Sequence, residues 1–353
     1  MTTPKVTVEK NQYNFFPSNQ EELIAKLGKD VLLKTITQML LIRNFEIRAE
    51  SAYQQGKIGG FFHSYMGQEA IQVAAVEALG QENWYVTSYR CHALALLLGD
   101  TQDEIMAELY GKATGNARGR GGSMHLYAKR LLGGFGIVAG QVPIAIGAAF
   151  QIKYKDIKNE VAICFLGDGA VAQGAVHESF NLASLWNLPC IFVIENNQWG
   201  MGTAVQRALS MTKLAENIAP TYNMKGYTFD GMDFFNCYAG FSHVYQEVLK
   251  TNRPVVIEVL TERFRGHSIS DPGLYRTKES LKESMQSDPI LRLQQVLEEH
   301  QILDIEAYKK IDKECREKTL AAMKYADESP WPNPLTIEED VFAPNPSSLT
   351  DKR

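Results

Sequence analysis

The centre of the chain alternates short apolar runs with helical segments, and this alternation limits the folds that the chain can adopt. Val161–Leu166 (VAICFL), Cys190–Glu195 (CIFVIE) and Val255–Leu260 (VVIEVL) have the length of strands. Helical spacing predicts a helix over Gly174–Leu185 and another near His243–Lys250. Strands that are apolar on both faces are typical of a parallel sheet with helices on both sides. We therefore predict an α/β fold built on a parallel β-sheet covered by helices on both faces.

Helices and a long loop are predicted before this unit. Apolar residues recur at helical spacing from Gln20 to Gln55, and further helices are predicted over Gln68–Leu79 and Thr101–Ala113. Thr101 with Glu104 has the spacing of a capping box. The stretch from Gly111 to Gly140 is glycine-rich, and a loop of this kind usually binds something or is disordered.

Four segments are expected from these patterns. Residues 1–20 form an N-terminal arm, 21–275 the α/β domain, 276–328 a set of C-terminal helices, and 329–353 a proline-rich tail. The tail is expected to wrap over a surface or a partner.

Charge and cysteine content exclude several classes of protein. The net charge is −5, which argues against a general nucleic-acid or anionic-membrane surface. Apolar stretches stop well short of the about 18 residues of a membrane span. The five cysteines form no CxxC pair, which indicates a reducing compartment with neither a disulfide framework nor a zinc site. No targeting segment is evident, so we expect a cytoplasmic protein.

Polar side chains follow two of the predicted strands, at the point where each strand ends. Asp168 lies within Gly167-Asp168-Gly169, and Asn197 follows the next strand, one strand–helix–strand unit later. A right-handed crossover brings both strand ends to one edge of the sheet, where open α/β sheets bind ligands. The glycines leave room for a diphosphate, and the helix that follows can present free N–H groups to an anion.

These two side chains and a diphosphate supply oxygen ligands of the kind that Mg²⁺ prefers, with water completing its octahedral shell. The alternative is that Gly-Asp-Gly is only a turn and Asn196-Asn197 a polar loop. The pairing of the two motifs across one crossover favours the magnesium–diphosphate site.

The stretch LGDGAVAQGAVHESFNLASLWNLPCIFVIENNQWGMGT resembles the thiamine-diphosphate motif of the alpha subunits of the decarboxylating component of pyruvate dehydrogenase. The resemblance runs from about Leu23 to Phe342 and includes FFHSYMGQEA, TSYRCHA, GRGGSMHLYAK, GIVAGQVP and RGHSISDPG, in that order. It implies a thiamine-diphosphate-binding fold with thiamine diphosphate and Mg²⁺ as cofactors.

The resemblance also implies roles for residues of the motif. Asp168 and Asn197 would supply side-chain oxygens to Mg²⁺, and Trp199 a backbone carbonyl. Gly169 and Ala170 would line the diphosphate.

The resemblance implies that two further segments bind the cofactor. Tyr89 and Arg90 would contact the diphosphate, for which the arginine fork is suited, although a lone Tyr-Arg pair is more often a surface pair. Gly136 and Val138 would lie in the segment that holds the aminopyrimidine end. Gly134–Ala139 also matches the dinucleotide pattern GxGxxA weakly, and we discount it because no strand is predicted before it.

Two of the seven histidines are candidate catalytic residues. By resemblance, His63 faces the substrate, and His267 meets the cofactor phosphate and helps to order an active-site loop. An imidazole that titrates near neutrality could move protons or stabilise anions, and we do not separate these roles. His92, His125 and His177 are interpreted as structural.

Catalysis is expected to need a second polypeptide. The resemblance implies that pyruvate is decarboxylated on thiamine diphosphate and that the acetyl group passes to a lipoyl group of an acyltransferase component. No second glycine-rich α/β unit with a suitably placed glutamate is present, so a beta subunit should supply the activating carboxylate, in an α2β2 heterotetramer. The glycine-rich loop and the helix Gln68–Leu79 are candidates for this contact.

Other functions stay open at this point. The chain could be the alpha subunit of an acetoin or branched-chain 2-oxo acid dehydrogenase, a nicotinamide dehydrogenase, or a non-catalytic scaffold for a beta chain. Ala172 replaces a polar residue of many relatives. Ser268 matches a serine that is phosphorylated in mitochondrial relatives, but Ala204 and Leu274-Tyr275 lack the other two sites, so we expect no such control.

Overall fold

The structure is a computed structural model, and it describes residues 12–339. Much of the predicted arm and the end of the predicted tail, with Pro344 and Pro346, lie outside the described residues. The helices are α1 Gln20–Gln54, α2 Glu69–Leu79, α3 His92–Leu97, α4 Gln102–Leu109, α5 Gln141–Tyr154, α6 Gly174–Leu185, α7 Val205–Ala208, α8 Leu214–Thr221, α9 Phe234–Thr251, α10 Lys278–Gln286, α11 Pro289–Glu299 and α12 Ile305–Glu328. The strands are β1 Trp84–Ser88, β2 Leu131–Phe135, β3 Ala162–Gly167, β4 Cys190–Asn196, β5 Trp199–Gly200, β6 Thr203–Ala204, β7 Lys225–Asp230 and β8 Val255–Leu260.

Six strands form one parallel sheet in the order β2-β1-β3-β4-β8-β7, which confirms the predicted fold class. Successive residues of β3 enter two different cores. Ile163 and Phe165 belong to the core that contains α2 and α9, whereas Cys164 and Leu166 belong to the core that contains α5 and α6. Because side chains alternate across a strand, a sheet with helices on both faces favours apolar residues on both sides of its central strands.

The carboxyl ends of three central strands lie side by side at one edge of the sheet. Gly167 at the end of β3 pairs with Glu195 of β4, and Asn196 pairs with Leu260 at the end of β8. The Thr261 N–H donates to the Asn196 carbonyl at 3.0 Å, which extends this alignment by one residue. The segments that follow β3, β4 and β8 therefore start from one place.

One prediction about the glycine-rich stretch and one about α2 are wrong. The stretch contains the strand β2, which was not predicted. The dinucleotide pattern is excluded for another reason, because its first glycine, Gly134, lies inside this strand, where the pattern needs a turn. Nine of the eleven residues of α2 are buried within the chain, so the helix Gln68–Leu79 offers little surface to a partner.

The capping box of α4 is confirmed, since Thr101 and Glu104 exchange hydrogen bonds. α1 contains one break, at Gly28, whose φ is +73°. α12 packs along α1 and α4, and its Cys315, Ala322 and Ala326 join the same core as α2. Within residues 12–339, no helix is both long and apolar enough to cross a membrane.

Candidate active site

A cavity of about 650 Å³ opens at the carboxyl edge of the sheet. It collects residues from the ends of β1, β3, β4 and β8, from the turn after β2 and from the loop before α2. The residues predicted for the site all line it: His63, Tyr89, Arg90, Gly136, Val138, Asp168, Gly169, Ala170, Asn197, Trp199 and His267. Their convergence follows from the sheet topology; their individual roles stay predictions.

Asp168 stands directly after β3, at the start of a short 3₁₀ turn over Asp168–Ala172. The Gly-Asp-Gly motif therefore leads into this turn and not directly into α6. The Asp168 side chain is buried, and its Oδ2 has no hydrogen-bond partner among the described residues. Burial raises the pKa of Asp168 to about 6, against the opposing effect of backbone amides and of Arg263. A buried carboxylate oxygen without a partner is the kind of group that a cation satisfies.

The Asn197 side chain is held on both sides. Its Nδ2 donates to Gln68 Oε1 at 3.3 Å, and its Oδ1 accepts the Trp199 N–H at 3.3 Å. The Trp199 carbonyl accepts from Arg263 Nη1 at 3.4 Å, and a carbonyl oxygen has a second lone pair for another ligand.

Oxygen atoms are thus the ligands that this edge of the sheet offers. Within the described part of the chain, no three His, Cys, Asp or Glu side chains cluster as metal ligands. A set of one carboxylate, one amide and one carbonyl suits Mg²⁺, which keeps water and takes phosphate oxygens, better than zinc, which prefers nitrogen and sulfur.

The backbone around the cavity is strained. Ala139, Gln198 and Met201 have φ values of 67°, 70° and 54°, in the left-handed region, which costs roughly 1–2 kcal/mol for a residue with a Cβ. Gly169 faces Gly200 so closely that a Cβ would lie 3.3 Å from the Gly200 Cα. Such strain persists where the surrounding structure fixes it, as it commonly does at binding sites.

Arg90 ties together the two segments that carry the candidate histidines. Its Nη1 donates to the Ser64 carbonyl and its Nη2 to the His267 carbonyl, both at 2.6 Å. Burial and the neighbouring Arg263 lower the pKa of Arg90 to about 10. Two buried guanidinium groups near one cavity favour an anionic ligand, which would relieve their repulsion.

Arg263 is the main site residue that the sequence analysis did not select. It is 2% exposed, follows β8, and donates from Nη2 to the Met201 carbonyl at 3.0 Å and to Tyr275 at 2.7 Å. Its Nε is buried without a partner in the part of the chain that the structure describes. The sequence could have indicated Arg263 through its position, because it stands three residues after a predicted strand, at the sheet edge that carries Asp168.

The two candidate histidines stand together, with ring centroids 5.0 Å apart, and Tyr89 lies 4.3 Å from the His63 ring. Burial and Arg90 lower the pKa of His63 to about 2 and that of His267 to about 4. Both rings are therefore neutral at pH 7, and the expectation of titration near neutrality is wrong for this cavity. An anionic ligand would raise both pKa values.

Neutral burial of His63 predicts a pH-dependent stability. The unfolded chain protonates this residue below pH 6.5, whereas the folded chain does so only near pH 2, so its contribution is full above pH 6.5 and is lost as the pH falls. We expect His63→Asn to reduce the fall in the free energy of unfolding between pH 7 and pH 5 by about 2 kcal/mol. Urea unfolding at both pH values measures this.

Other titrating groups are present in both the His63→Asn variant and the wild type, so their effects cancel when the two pH dependences are compared. Asp168 and Glu195 have pKa values raised by burial, to about 6 and about 7, and these stabilise the fold as the pH falls. His243, which is half exposed on α9, serves as the control, and His243→Asn should follow the wild type. Equal pH slopes for His63→Asn and wild type would contradict the prediction.

Asp271 holds the loop after His267. Its carboxylate accepts the N–H groups of His267 at 2.6 Å and Gly273 at 2.9 Å and the hydroxyl of Tyr275 at 2.6 Å. These contacts hold the shape of the loop that carries Ser268, a residue that lines the cavity.

A family model described as "Dehydrogenase E1 component" matches residues 37–335. The chain is 41% identical to the pyruvate dehydrogenase E1 component subunit alpha of Rickettsia typhi, over 89% of the chain and 96% of the relative. It is 42% identical to the protein of the same name from Rickettsia prowazekii, over 89% and 96%. It is 39% identical to that of Rhizobium meliloti, over 90% and 92%.

Proposed function

The chain belongs to the dehydrogenase E1 component family, and we propose that it is the alpha subunit of a two-subunit pyruvate dehydrogenase (acetyl-transferring), active with a beta subunit. The reaction is the decarboxylation of pyruvate on thiamine diphosphate, with transfer of the acetyl group to a lipoyl group of an acyltransferase component. The observation that carries the proposal is the buried, unpartnered Asp168 oxygen beside Asn197 at the carboxyl edge of the sheet.

The residues of the cavity suit thiamine diphosphate and Mg²⁺. Asp168, Asn197 and the Trp199 carbonyl would hold the metal ion, which the diphosphate and water would complete. The close approach of Gly169 to Gly200 leaves space that a side chain would fill. When bound, thiamine diphosphate supplies an electron sink for the decarboxylation of a 2-oxo acid.

Other residues of the cavity would bind and orient the two ends of the cofactor. The family resemblance places Tyr89, Arg90 and Gly169 with Ala170 at the diphosphate, and the guanidinium of Arg263, buried at the same edge, adds positive charge there. Gly136 and Val138 form the wall assigned to the aminopyrimidine end.

The histidines face the remaining space. His63, on the substrate side, and His267, beside Arg90, are neutral and can each accept a hydrogen bond at Nδ1, which has no partner among the described residues. A neutral imidazole at such a position can take up a proton when negative charge develops next to it.

The cavity requires a partner for its second carboxylate. Among the described residues that line it, Asp168 and Glu195 are the carboxylates, and Glu195 is held by Tyr65 and Gln72 next to the metal ligands. Apolar side chains of the lining or its edge are left in solvent, with Phe61 61%, Ile137 78% and Met201 64% exposed. A beta subunit that covers this mouth would bury them and supply the activating carboxylate, in an α2β2 assembly.

The substrate range of the co-expressed alpha–beta complex tests the proposed function. With thiamine diphosphate, Mg²⁺ and a lipoyl acceptor, we expect the highest kcat/KM for pyruvate among pyruvate, acetoin and branched-chain 2-oxo acids. A preference for one of the other substrates would assign the chain to that dehydrogenase. A complex that takes up no cofactor would show a scaffold, and direct NAD binding without a thiamine requirement would show a nicotinamide enzyme.

A further inference from the structure

The glycine-rich loop that follows α4 folds around a carboxylate of the protein itself. Glu108, in the last turn of α4, is fully buried. Its Oε2 accepts the N–H groups of Ala117 at 2.9 Å and Gly119 at 2.8 Å. Its Oε1 accepts those of Gly121 at 2.7 Å and Gly122 at 3.1 Å. Four backbone amides therefore point at one carboxylate.

The sequence of the loop is adapted to this arrangement. A Cβ on Gly115 would lie 2.3 Å from Glu108 Oε2, so only glycine lets the backbone pass the carboxylate. Gly119 and Gly122 have φ values of +77° and +58°, which turn successive N–H groups inward. Because an internal carboxylate occupies these amides, the loop is ordered without a ligand and does not offer them to a phosphate.

The end of the same loop forms part of the cavity wall. Met124 lines the cavity, and a Cβ on Gly136 would meet His125 Nε2 at 3.0 Å and Met124 Cε at 3.3 Å. Gly136 lies in the wall assigned above to the aminopyrimidine end. Any shift of the loop therefore presses on, or opens, this wall.

A second buried contact fixes the loop near its end. Ser123 Oγ lies 2.9 Å from His92 Nε2, and His92 Nδ1 lies 2.9 Å from Glu46 Oε1. All three side chains are buried. The loop is thus held at Ser123 by α1 and α3, and over its first part by Glu108.

We infer that Glu108 is a positioning residue for the cofactor cavity: its carboxylate fixes the glycine-rich loop and so holds Met124 and His125 against Gly136. Glu108 is not among the residues that line the cavity, so it acts through the loop. The inference rests on the proposed function, which assigns this wall to the cofactor. Supporting residues that orient a binding site commonly change affinity by about 10–100-fold when altered.

Glu108→Gln in the alpha–beta complex tests this role. The amide keeps the shape but replaces one oxygen by NH₂, which leaves two loop N–H groups without an acceptor. We expect faster hydrogen exchange at residues 117–122 and an about tenfold higher Kd for thiamine diphosphate at saturating Mg²⁺. The KM for pyruvate at saturating cofactor should stay unchanged, which separates positioning of the cofactor from general damage.

Glu104→Gln is the matched control on the same helix. Glu104 closes the capping box at the exposed start of α4, where glutamine can still accept the Thr101 N–H, so the change removes a charge from the same helix without touching the loop. We expect wild-type cofactor affinity for Glu104→Gln. A Glu108→Gln complex with loosened exchange but wild-type Kd overturns the inference, as does equal weakening of cofactor binding in both variants.

Hydrogen exchange of the wild-type complex is a second test of the role of Glu108, and it does not depend on assembly of the Glu108→Gln variant. Coupling between two sites is reciprocal, so bound thiamine diphosphate with Mg²⁺ should slow amide exchange at Ala117, Gly119, Gly121 and Gly122. Identical exchange with and without cofactor overturns the inference. A wild-type complex that binds no thiamine diphosphate refutes the proposed function instead, so the two failures are distinguishable.

Discussion

Asp168→Asn should abolish Mg²⁺-dependent binding of thiamine diphosphate by the alpha–beta complex while the chain still folds. The asparagine keeps the shape but removes the charge that a divalent ion needs, and we expect a loss in affinity of at least about 100-fold. Burial raises the pKa of Asp168, so the native fold disfavours its ionised form, and the variant should be at least as stable as the wild type near pH 7. Calorimetric titration with cofactor at fixed Mg²⁺, and urea unfolding, measure the two effects.

Asp156→Asn provides the control for this experiment. Asp156 lies in the exposed turn after α5, where its φ of 52° suits asparagine equally well. Neither affinity nor stability should change. An Asp168→Asn complex with wild-type affinity would refute the assignment of Asp168 as a metal ligand, and a variant that fails to fold would show that the carboxylate has a structural role.

The central strands can be predicted from the sequence because their burial restricts which residues they can contain. β3, β4 and β8 are buried on both faces, so most of their residues are apolar and the runs stand out, even though Glu195, Asn196 and Glu258 are also buried there. β7 (KGYTFD) forms one edge of the sheet and is partly exposed, and β2 (LLGGF) contains two glycines, so neither shows this pattern. Neither strand was predicted, because each one forms through pairing with its neighbouring strand and not through an apolar composition of its own.

The candidate site could be predicted to the extent that topology decides it. Asp168 and Asn197 follow adjacent parallel strands, so their meeting at one sheet edge follows from the crossover rule. The low pKa values of His63 and His267 depend on burial and on Arg90, which joins segments far apart in the chain. No local pattern carries that information.

The prediction about α2 failed for a different reason. Its sequence, EAIQVAAVEAL, is apolar almost all round, and a helix of that kind is a core helix more often than a docking surface. The exposed apolar side chains of the described residues instead include Ile137 beside the cavity and Ile144, Phe150 and Tyr154 on α5. This face runs from the wall formed by Gly136 and Val138 along α5 to Tyr154, and it is where we propose that the beta subunit binds.

The isolated chain should show no decarboxylation of pyruvate until a beta subunit is added. Asp168 is assigned to the metal ion, and Glu195 is engaged by Tyr65 and Gln72, so no free carboxylate remains among the described lining residues to activate the cofactor ring. A positioned acid–base group contributes about 10²–10⁴-fold, and the isolated chain should lack at least that factor. Release of CO₂ from pyruvate, measured with saturating thiamine diphosphate and Mg²⁺ before and after addition of the beta chain, tests this.

A partner-dependent gain in activity could arise from stabilisation of the alpha chain or from completion of the site, and two variants separate these causes. Asp168→Asn should assemble with the beta chain and stay inactive, whereas Asp156→Asn should recover full activity. Tyr154→Glu, which places a charge on the exposed face of α5, should raise the beta concentration needed for half-maximal activity without changing the activity at saturation. Full turnover by the isolated chain would mean that the site is complete within one polypeptide, and the proposed division of the catalytic groups between two subunits would then be wrong.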